Sequence, residues 1–319
     1  MRILLTGGAG FIGSHLVKYL LNTYPKYQIT NLDKLTYSGN LDNLKSVAKH
    51  PRYTFVKGDI ADAKVVDRCM KNADIIIHTA AETHVDRSIN DGGVFVKTNV
   101  NGTFTLLEAA RRHKIKRFVH VSTDEVYGSR KTGYFKEEDL LNPSSPYSAS
   151  KAASDLLARS YFITYGMDVV ITRCTNNFGP NQYPEKVIPL FVTNLLEGKK
   201  VPLYGTGKNV RDWIYVTDHC RGVDIVMHQG KAGEVYNLAG ENYRNNIVLT
   251  KTILRLMKKP LSSIQPVEDR KGHDFRYAID CAKVRKIGFK PLVGFDEGIA
   301  ATINWYTENP AWWKKLKKS

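Results

Sequence analysis

The sequence predicts an α/β protein: a doubly wound parallel sheet covered by helices on both faces, followed by a smaller α+β lobe toward the C-terminus. Three observations carry this. Short apolar, β-branched runs alternate with stretches of helical periodicity through the first half. A glycine-rich turn, Thr6-Gly7-Gly8-Ala9-Gly10-Phe11-Ile12-Gly13-Ser14, joins the first such run to the first helical stretch. After Arg173 the elements shorten and Gly and Pro become denser, beginning with the polar loop Asn176 to Pro184.

In chain order, Arg2 to Thr6 reads as a strand and Phe11 to Leu21 as a helix. Gln28 to Leu32 is a second strand, ending at Asp33, and Tyr53 to Val56 a third, leading into Gly58-Asp59. Asp74 to His78, Arg117 to Ser122 and Asp168 to Thr172 complete the set, with helical patterns at Asn99 to Arg112 and Tyr147 to Tyr165. Several runs are apolar throughout, as strands buried on both faces are. Residues 1–175 read as the nucleotide-binding domain and 176–319 as the second lobe. Residues 210–238, with Trp213 to Val226 among them, are expected to return to the first. There is no internal repeat and no low-complexity linker.

Composition narrows the function. The chain has 319 residues, 42% of them hydrophobic and 10% aromatic, which excludes an intrinsically disordered chain. No run approaches the ~18 apolar residues of a membrane span. Met1 to Thr6 lead straight into the glycine turn without a secretory signal, so a soluble, cytoplasmic protein is expected. Cys69, Cys174, Cys220 and Cys281 are far apart, which suits reduced structural thiols and no metal site. The net charge of +16 (47 Lys+Arg against 31 Asp+Glu) suits an anionic ligand or a basic solvated surface. A nucleic-acid partner is not expected, because no recognisable binding module or basic–aromatic stripe is present. The Lys314 to Lys318 cluster reads as a solvated tail.

A glycine pattern alone is a weak signal, but Gly7, Gly10 and Gly13 follow a strand and open a helix. Such a turn lets the backbone approach a pyrophosphate, which binds the exposed N–H groups of the helix start, with Phe11 and Ile12 in that first turn. Asp33 lies 20 residues beyond Gly13. A carboxylate there accepts both adenosine ribose hydroxyls and repels a 2′-phosphate, which favours NAD over NADP; the adjacent Lys34 pulls the other way. Asp59-Ile60 is placed to meet the adenine. Ala80 and Ala81, in Thr79-Ala80-Ala81-Glu82-Thr83, offer small residues along the cofactor. The arrangement is that of a Rossmann-type domain.

Tyr-x-x-x-Lys occurs four times, at Tyr53/Lys57, Tyr127/Lys131, Tyr147/Lys151 and Tyr204/Lys208. Only Tyr147/Lys151 follows a helix start, Ser144-Ser145-Pro146, with a Ser cap and Pro in the first turn. At i and i+4 the two side chains share a helix face, where an ammonium is expected to lower the tyrosine pKa. Ser122-Thr123-Asp124-Glu125 follows a strand carboxyl end, where open α/β sheets place their chemistry. Read with Tyr147/Lys151, Asp124 and Glu125 are a candidate acid and base; read alone, they are as well explained as a solvated loop.

On these residues the chain resembles the extended short-chain dehydrogenase/reductase family, and within it the dTDP-glucose 4,6-dehydratases. Further matching segments are Asp33 to Asn40, His84 to Ser88, Pro184-Glu185-Lys186, Asn209 to Trp213 and Asp269 to Asp274. The Thr123-Asp124-Glu125 run is the discriminating one, since sugar-nucleotide epimerases lack the acid pair. Thr79, Phe178, Lys271 and Phe275 depart from the family's commoner residues without removing a catalytic group.

The resemblance implies dehydration of dTDP-glucose to a 4-keto-6-deoxy sugar. Thr123 holds O4 and Tyr147, as a phenolate, takes its proton, with Lys151 beside it. Glu125 removes the C5 proton, Asp124 protonates the departing C6 hydroxyl, and hydride returns to C6. A UDP- or GDP-sugar dehydratase, or a nucleotide-sugar epimerase on the same scaffold, is the alternative. The resemblance also implies Thr36, Thr98 and Asn177 at the NAD, and a homodimer packed through first-lobe helices. At the nucleotide sugar it implies Thr83, Asn176, Lys186, Val187, Pro202, Tyr204, Arg211, Asn246, Arg270 and His273.

Overall fold

The computed structural model describes residues 1–269 and 274–317. The chain lays down β1 (Arg2–Thr6), β2 (Gln28–Asp33), β3 (Tyr53–Lys57), β4 (Ile75–His78), β5 (Arg117–Thr123) and β6 (Val169–Cys174). Four short strands follow: β7 (Asn176–Phe178), β8 (Val201–Tyr204), β9 (Val210–Arg211) and β10 (Trp213–Tyr215). β11 (Val235–Leu238) then precedes β12 (Arg244–Asn245) and β13 (Ile264–Val267). The main sheet has the order β3-β2-β1-β4-β5-β6-β11, parallel at every pairing. Strand order reverses between β1 and β4, and the crevice at such a switch point is where these sheets bind ligands.

The apolar runs supply both faces of the sheet at once. Ile3, Leu5, Ile75, Ile77, Val119, Val121 and Val170 pack into one core; Leu4, Ile76, Phe118, Val169 and Ile171 pack into the other. Alternate residues of a strand point to opposite faces, so a strand covered on both sides favours apolar residues throughout, and polar exceptions such as His78, His120 and Arg173 are buried and hydrogen-bonded. Helices Phe11–Thr23 and Val216–Gln229 cover the first face, Thr103–Arg112 and Pro146–Tyr165 the second. Thus Val216–Gln229 packs on the sheet and β11 is its edge strand, although both follow the first second-lobe segments. The second lobe has its own core, with Phe191, Trp213, Ile253, Tyr306 and Trp313 at its centre. Its last helix, Pro310–Lys317, docks on the first lobe: Trp312 Nε1 donates to Asn43 Oδ1 at 3.0 Å, and Asn43 Nδ2 donates to Ala9 O at 2.9 Å.

The helix expected from Asn99 begins instead as a π turn, Val96–Gly102, before Thr103–Arg112. Asn99 is why that stretch matters. Its side chain accepts from Glu82 N at 2.8 Å and donates to Glu82 O at 3.0 Å and to Ser150 Oγ at 2.8 Å, tying the loop after β4 to helix Pro146–Tyr165. That helix starts with reciprocal Ser145 and Ser148 caps and Pro146 in the first turn, and stops at Gly166 in the left-handed conformation.

Beneath the site, Arg173 makes a bidentate pair with Asp155 at 2.8 and 2.9 Å, both side chains almost fully buried. Arg173 also donates to Tyr127 Oη at 2.7 Å, and Tyr127 to Asn237 Oδ1 at 2.9 Å. Removing one partner strands a buried charge. Asp155→Ala is therefore expected to lower stability by roughly 3–5 kcal/mol, read as a fall in the urea midpoint. All four cysteines are buried and unpaired. No helix among the described residues is long and apolar enough to cross a membrane.

Candidate active site

A cavity of about 290 Å³ opens at the carboxyl ends of the strands, between β1, β4 and β5 on one side and β7 on the other. Its floor is the glycine turn. Gly7 sits at φ +77°, and a Cβ there would lie 2.7 Å from Ala80 Cα; at Gly13 a Cβ would collide with the Gly7 carbonyl. Glycine is thus required for the turn to pack against Ala80 and against itself. Asp33 fixes the turn from below, accepting from Ala9 N and Leu35 N at 2.8 Å each. Burial raises its pKa, and those two amides pull it back. Lys34 does not compete for the ribose position: its ammonium lies 2.8 Å from Asp59 Oδ2. Burial works against the Asp59 charge, but the Lys34 and Ala61 hydrogen bonds hold its pKa below the ordinary value.

Every residue expected at the cofactor lines this cavity: Gly7, Gly10, Phe11, Ile12, Gly13, Asp33, Lys34, Thr36, Asp59, Ile60, Ala80, Ala81, Thr98, Tyr147, Lys151 and Asn177. The bare glycine turn, the carboxylate at the end of β2 and the small residues after β4 fit a dinucleotide. Among the described residues no cluster of His, Cys, Asp or Glu is arranged to hold a metal ion.

Thr123, Asp124, Glu125, Tyr147 and Lys151 converge at the inner end of the same cavity. β5 delivers Thr123 and a 3-10 turn carries Asp124 and Glu125, with Thr123 Oγ1 accepting from Glu125 N at 3.3 Å. Asp124 is buried, and its Oδ2 has no hydrogen-bond partner among the described residues. Its pKa is pushed well above the carboxylate range, by burial first, then by the charges of Glu125 and Asp212; Arg211 and the Thr123 hydroxyl oppose this. Burial therefore favours the protonated carboxyl, and one of its oxygens is free to meet a ligand. Asn176 Oδ1 and Asn177 Oδ1, on β7 of the same wall, are likewise unpartnered among the described residues.

The tyrosine departs from expectation. Burial, then Glu125, Cys174 and Asp124, push the Tyr147 pKa well above that of an ordinary phenol, opposed by a hydrogen bond to Thr123. Lys151 does not reverse this, because its ammonium is spent on Val121 O at 2.8 Å. Burial itself draws the lysine pKa down to about 8. The pair rests as phenol and lysine, not as a preformed phenolate.

Of the residues expected at the substrate, Thr83, Thr123, Asn176 and Lys186 line the cavity. Val187 opens helix Val187–Leu196 directly after Lys186. Pro202 and Tyr204 lie on β8, Tyr204 half-exposed, and Asn246 opens helix Asn246–Leu256 beside β12. Arg211 lies on β9 and is buried, its guanidinium donating to the carbonyls of Val210 and Asp274 at 2.8 Å each and stacking on Tyr277. None of Val187, Pro202, Tyr204, Arg211 or Asn246 lines the cavity itself; they lie on neighbouring second-lobe elements. Arg270 and His273 lie outside the described residues.

Other residues were not anticipated. Asp212 is a buried hub, accepting from Thr175 Oγ1 at 2.9 Å and from the amides of Gly240, Glu241 and Asn242. Burial raises its pKa to about 6 against those donors. Tyr37, Glu82, Cys174 and Glu185 also line the cavity. Tyr37 and Glu185 fall inside the segments singled out in the sequence, so position was legible there and contact was not.

A family model described as GDP-mannose 4,6 dehydratase matches residues 4–302. A dTDP-glucose 4,6-dehydratase of Streptomyces antibioticus is 56% identical, over 100% of this chain and 96% of that protein. The DesIV dTDP-glucose 4,6-dehydratase of Streptomyces venezuelae, solved with NAD bound, superposes with a TM-score of 0.97 at 53% identity, covering 99% of this chain and 100% of that one. That of Bacillus anthracis strain Ames, also with NAD, gives 0.93 at 50% identity, with 99% of each chain covered.

Proposed function

This chain belongs to the dTDP-glucose 4,6-dehydratases of the extended short-chain dehydrogenase/reductase family, and from that premise we propose that it converts dTDP-glucose to dTDP-4-keto-6-deoxyglucose and water. The observation that carries the reading is the buried, half-unpartnered Asp124 beside Glu125, in one cavity with Tyr147 and Lys151. An oxidoreductase that returned hydride to the same carbon would have no use for a second acid.

When bound, NAD supplies the hydride acceptor and donor; the glycine turn, Asp33 and the wall from Ala80 to Thr98 would hold it. Thr123 and Tyr147 hold the sugar O4, and Tyr147 takes its proton. Because burial favours the protonated phenol, its own proton must first pass to solvent, and Lys151, one helical turn away, is the cation that stabilises the phenolate once formed. The resulting 4-ketone acidifies C5–H, which Glu125 removes as general base. Asp124 gives its proton to the C6 hydroxyl, which leaves as water, and Glu125 returns its proton to C5 when hydride is delivered to C6. A group kept neutral at working pH is suited to that donation. Asn176 and Lys186 bind on the sugar side, and Arg211 acts from the second lobe toward the diphosphate, with Val187, Pro202, Tyr204 and Asn246 around the nucleotide.

Mass spectrometry tests the activity: dTDP-glucose, UDP-glucose and GDP-mannose are each incubated with the purified protein, without added cofactor. Loss of one water from dTDP-glucose alone is the expected result. Loss from another sugar moves the specificity, and loss from none, even with NAD added, overturns the reading.

The protein is proposed to work as a cytoplasmic homodimer. Phe104, Leu156, Phe162 and Ile163 project from helices Thr103–Arg112 and Pro146–Tyr165, with Ile163 69% exposed. Neighbouring exposed apolar side chains of this size mark an interaction surface. The double substitution Phe104→Lys, Ile163→Lys is expected to halve the mass measured by light scattering.

A further inference from the structure

Three segments far apart in the chain meet over the cavity. Tyr37 comes from the loop after β2, Arg87 from helix Val85–Asn90, and Glu185 from the loop before helix Val187–Leu196. The Tyr37 hydroxyl lies 3.0 Å from Glu185 Oε1 and 3.1 Å from Thr83 O. Arg87 Nε donates to Glu185 Oε2 at 3.2 Å, and its guanidinium lies over the Tyr37 ring, 3.7 Å from the centroid. The edge of Tyr183, from the same loop as Glu185, packs against Tyr37 at 5.3 Å.

An exposed ion pair contributes little, but this one is built differently. Glu185 is only 17% exposed and takes a hydrogen bond on each oxygen, one of them from a cation that also stacks on the donor's ring. The backbone beside it is also unusual. His84, just before the Arg87 helix, sits at φ +93°, a conformation that a non-glycine residue keeps only when its surroundings impose it. None of the proton transfers above uses Tyr37, Arg87 or Glu185.

The contacts join the loop of Lys34 and Thr36, at the adenosine end, to the loop that continues from Asn176 and Asn177, and Tyr37 and Glu185 both line the cavity between them. A contact across that cavity stands in the way of a ligand lying along it. The proposed reaction imposes a demand that a simple dehydrogenase does not. Hydride taken from C4 is the hydride delivered to C6, so a cofactor that escapes midway strands an oxidised sugar. We infer that Tyr37, Arg87 and Glu185 form a latch that retains the dinucleotide in the cleft through turnover. The inference rests on the activity proposed above.

The test is the rate at which bound NAD leaves the intact protein, followed after dilution into excess competing nucleotide. Tyr37→Phe deletes only the hydroxyl, and Glu185→Ala cuts both arms; the first keeps the test open should the second fold poorly. Losing a hydrogen bond to a charged group predicts release faster by roughly tenfold to a hundredfold. Both variants should also leak free NADH during turnover and regain activity when NAD is added. Melting temperatures near that of the parent protein exclude general loosening as the cause. Unchanged release in both well-folded variants overturns the latch and leaves the dehydratase standing. Faster release in a protein that dehydrates no nucleotide sugar keeps the latch and overturns the activity.

Discussion

Asp124→Asn is expected to slow water loss by roughly 10²–10⁴-fold, the usual worth of a positioned general acid, while making the protein more stable. The amide matches the neutral carboxyl in shape but has no proton to give. Oxidation at C4 and proton removal at C5 do not need Asp124, so the variant should still exchange C5–H for solvent deuterium, seen by mass spectrometry of recovered sugar nucleotide. The stability change has a definite sign. The folded state raises the Asp124 pKa, by burial first and then by Glu125 and Asp212. Between the unfolded and folded pKa values the folded chain holds a proton that the unfolded chain has lost. The contribution of this group is therefore complete below the unfolded value and falls as pH rises toward the folded one. Asn removes that loss, so the gain in melting temperature should be larger at pH 8 than at pH 5. A variant that still released water at the parent rate would remove Asp124 from its role.

Tyr147→Phe is expected to cost a similar roughly 10²–10⁴-fold, but at the earlier step. Without the hydroxyl, O4 has no proton acceptor, no ketone forms, and C5–H keeps an ordinary acidity. Both water loss and C5 exchange should therefore disappear together. The two variants are told apart by exchange alone: retained in Asp124→Asn, absent in Tyr147→Phe. Exchange surviving in Tyr147→Phe would show that another group deprotonates O4.

The four Tyr-x-x-x-Lys pairs show what the sequence can and cannot say. Tyr53 is in β3, Tyr204 in β8, and Tyr127 is buried against Arg173. Only Tyr147 reaches the cavity, and it was the helix cap that singled it out. Local chemistry is legible because the glycines, Asp33 and the Ser145-Pro146 cap act within a few residues of themselves. Strands were legible for a similar reason, since burial on both faces favours apolar residues, as in Ile75 to Ile77 or Val169 to Ile171. Contacts across the chain were not. Nothing near Lys34 announces its pairing with Asp59, and nothing near Asp212 announces the amides of residues 240–242. The Tyr147 pKa runs against the expected direction for the same reason. The i, i+4 spacing to Lys151 is local, but the Val121 carbonyl that holds the ammonium and the carboxyls that crowd the phenol come from other elements.

The seam between β6 and β11 has a bearing on how the protein is made. β6 is complete at Cys174, yet its outer neighbour is not synthesised until Val235–Leu238, after the whole of residues 175–234. Until then the emerging chain carries an open strand edge, with Val169 to Cys174 buried in the finished protein and their backbone groups on that side unpaired. Helix Val216–Gln229, which covers Val170 and the first core, arrives just as late. A ribosome-bound chain of this fold must therefore hold a half-built sheet for the time taken to add some sixty residues, seconds at ordinary elongation rates of about 5–20 residues per second. That interval, when the open edge can pair with a wrong strand, is where a chaperone would be needed.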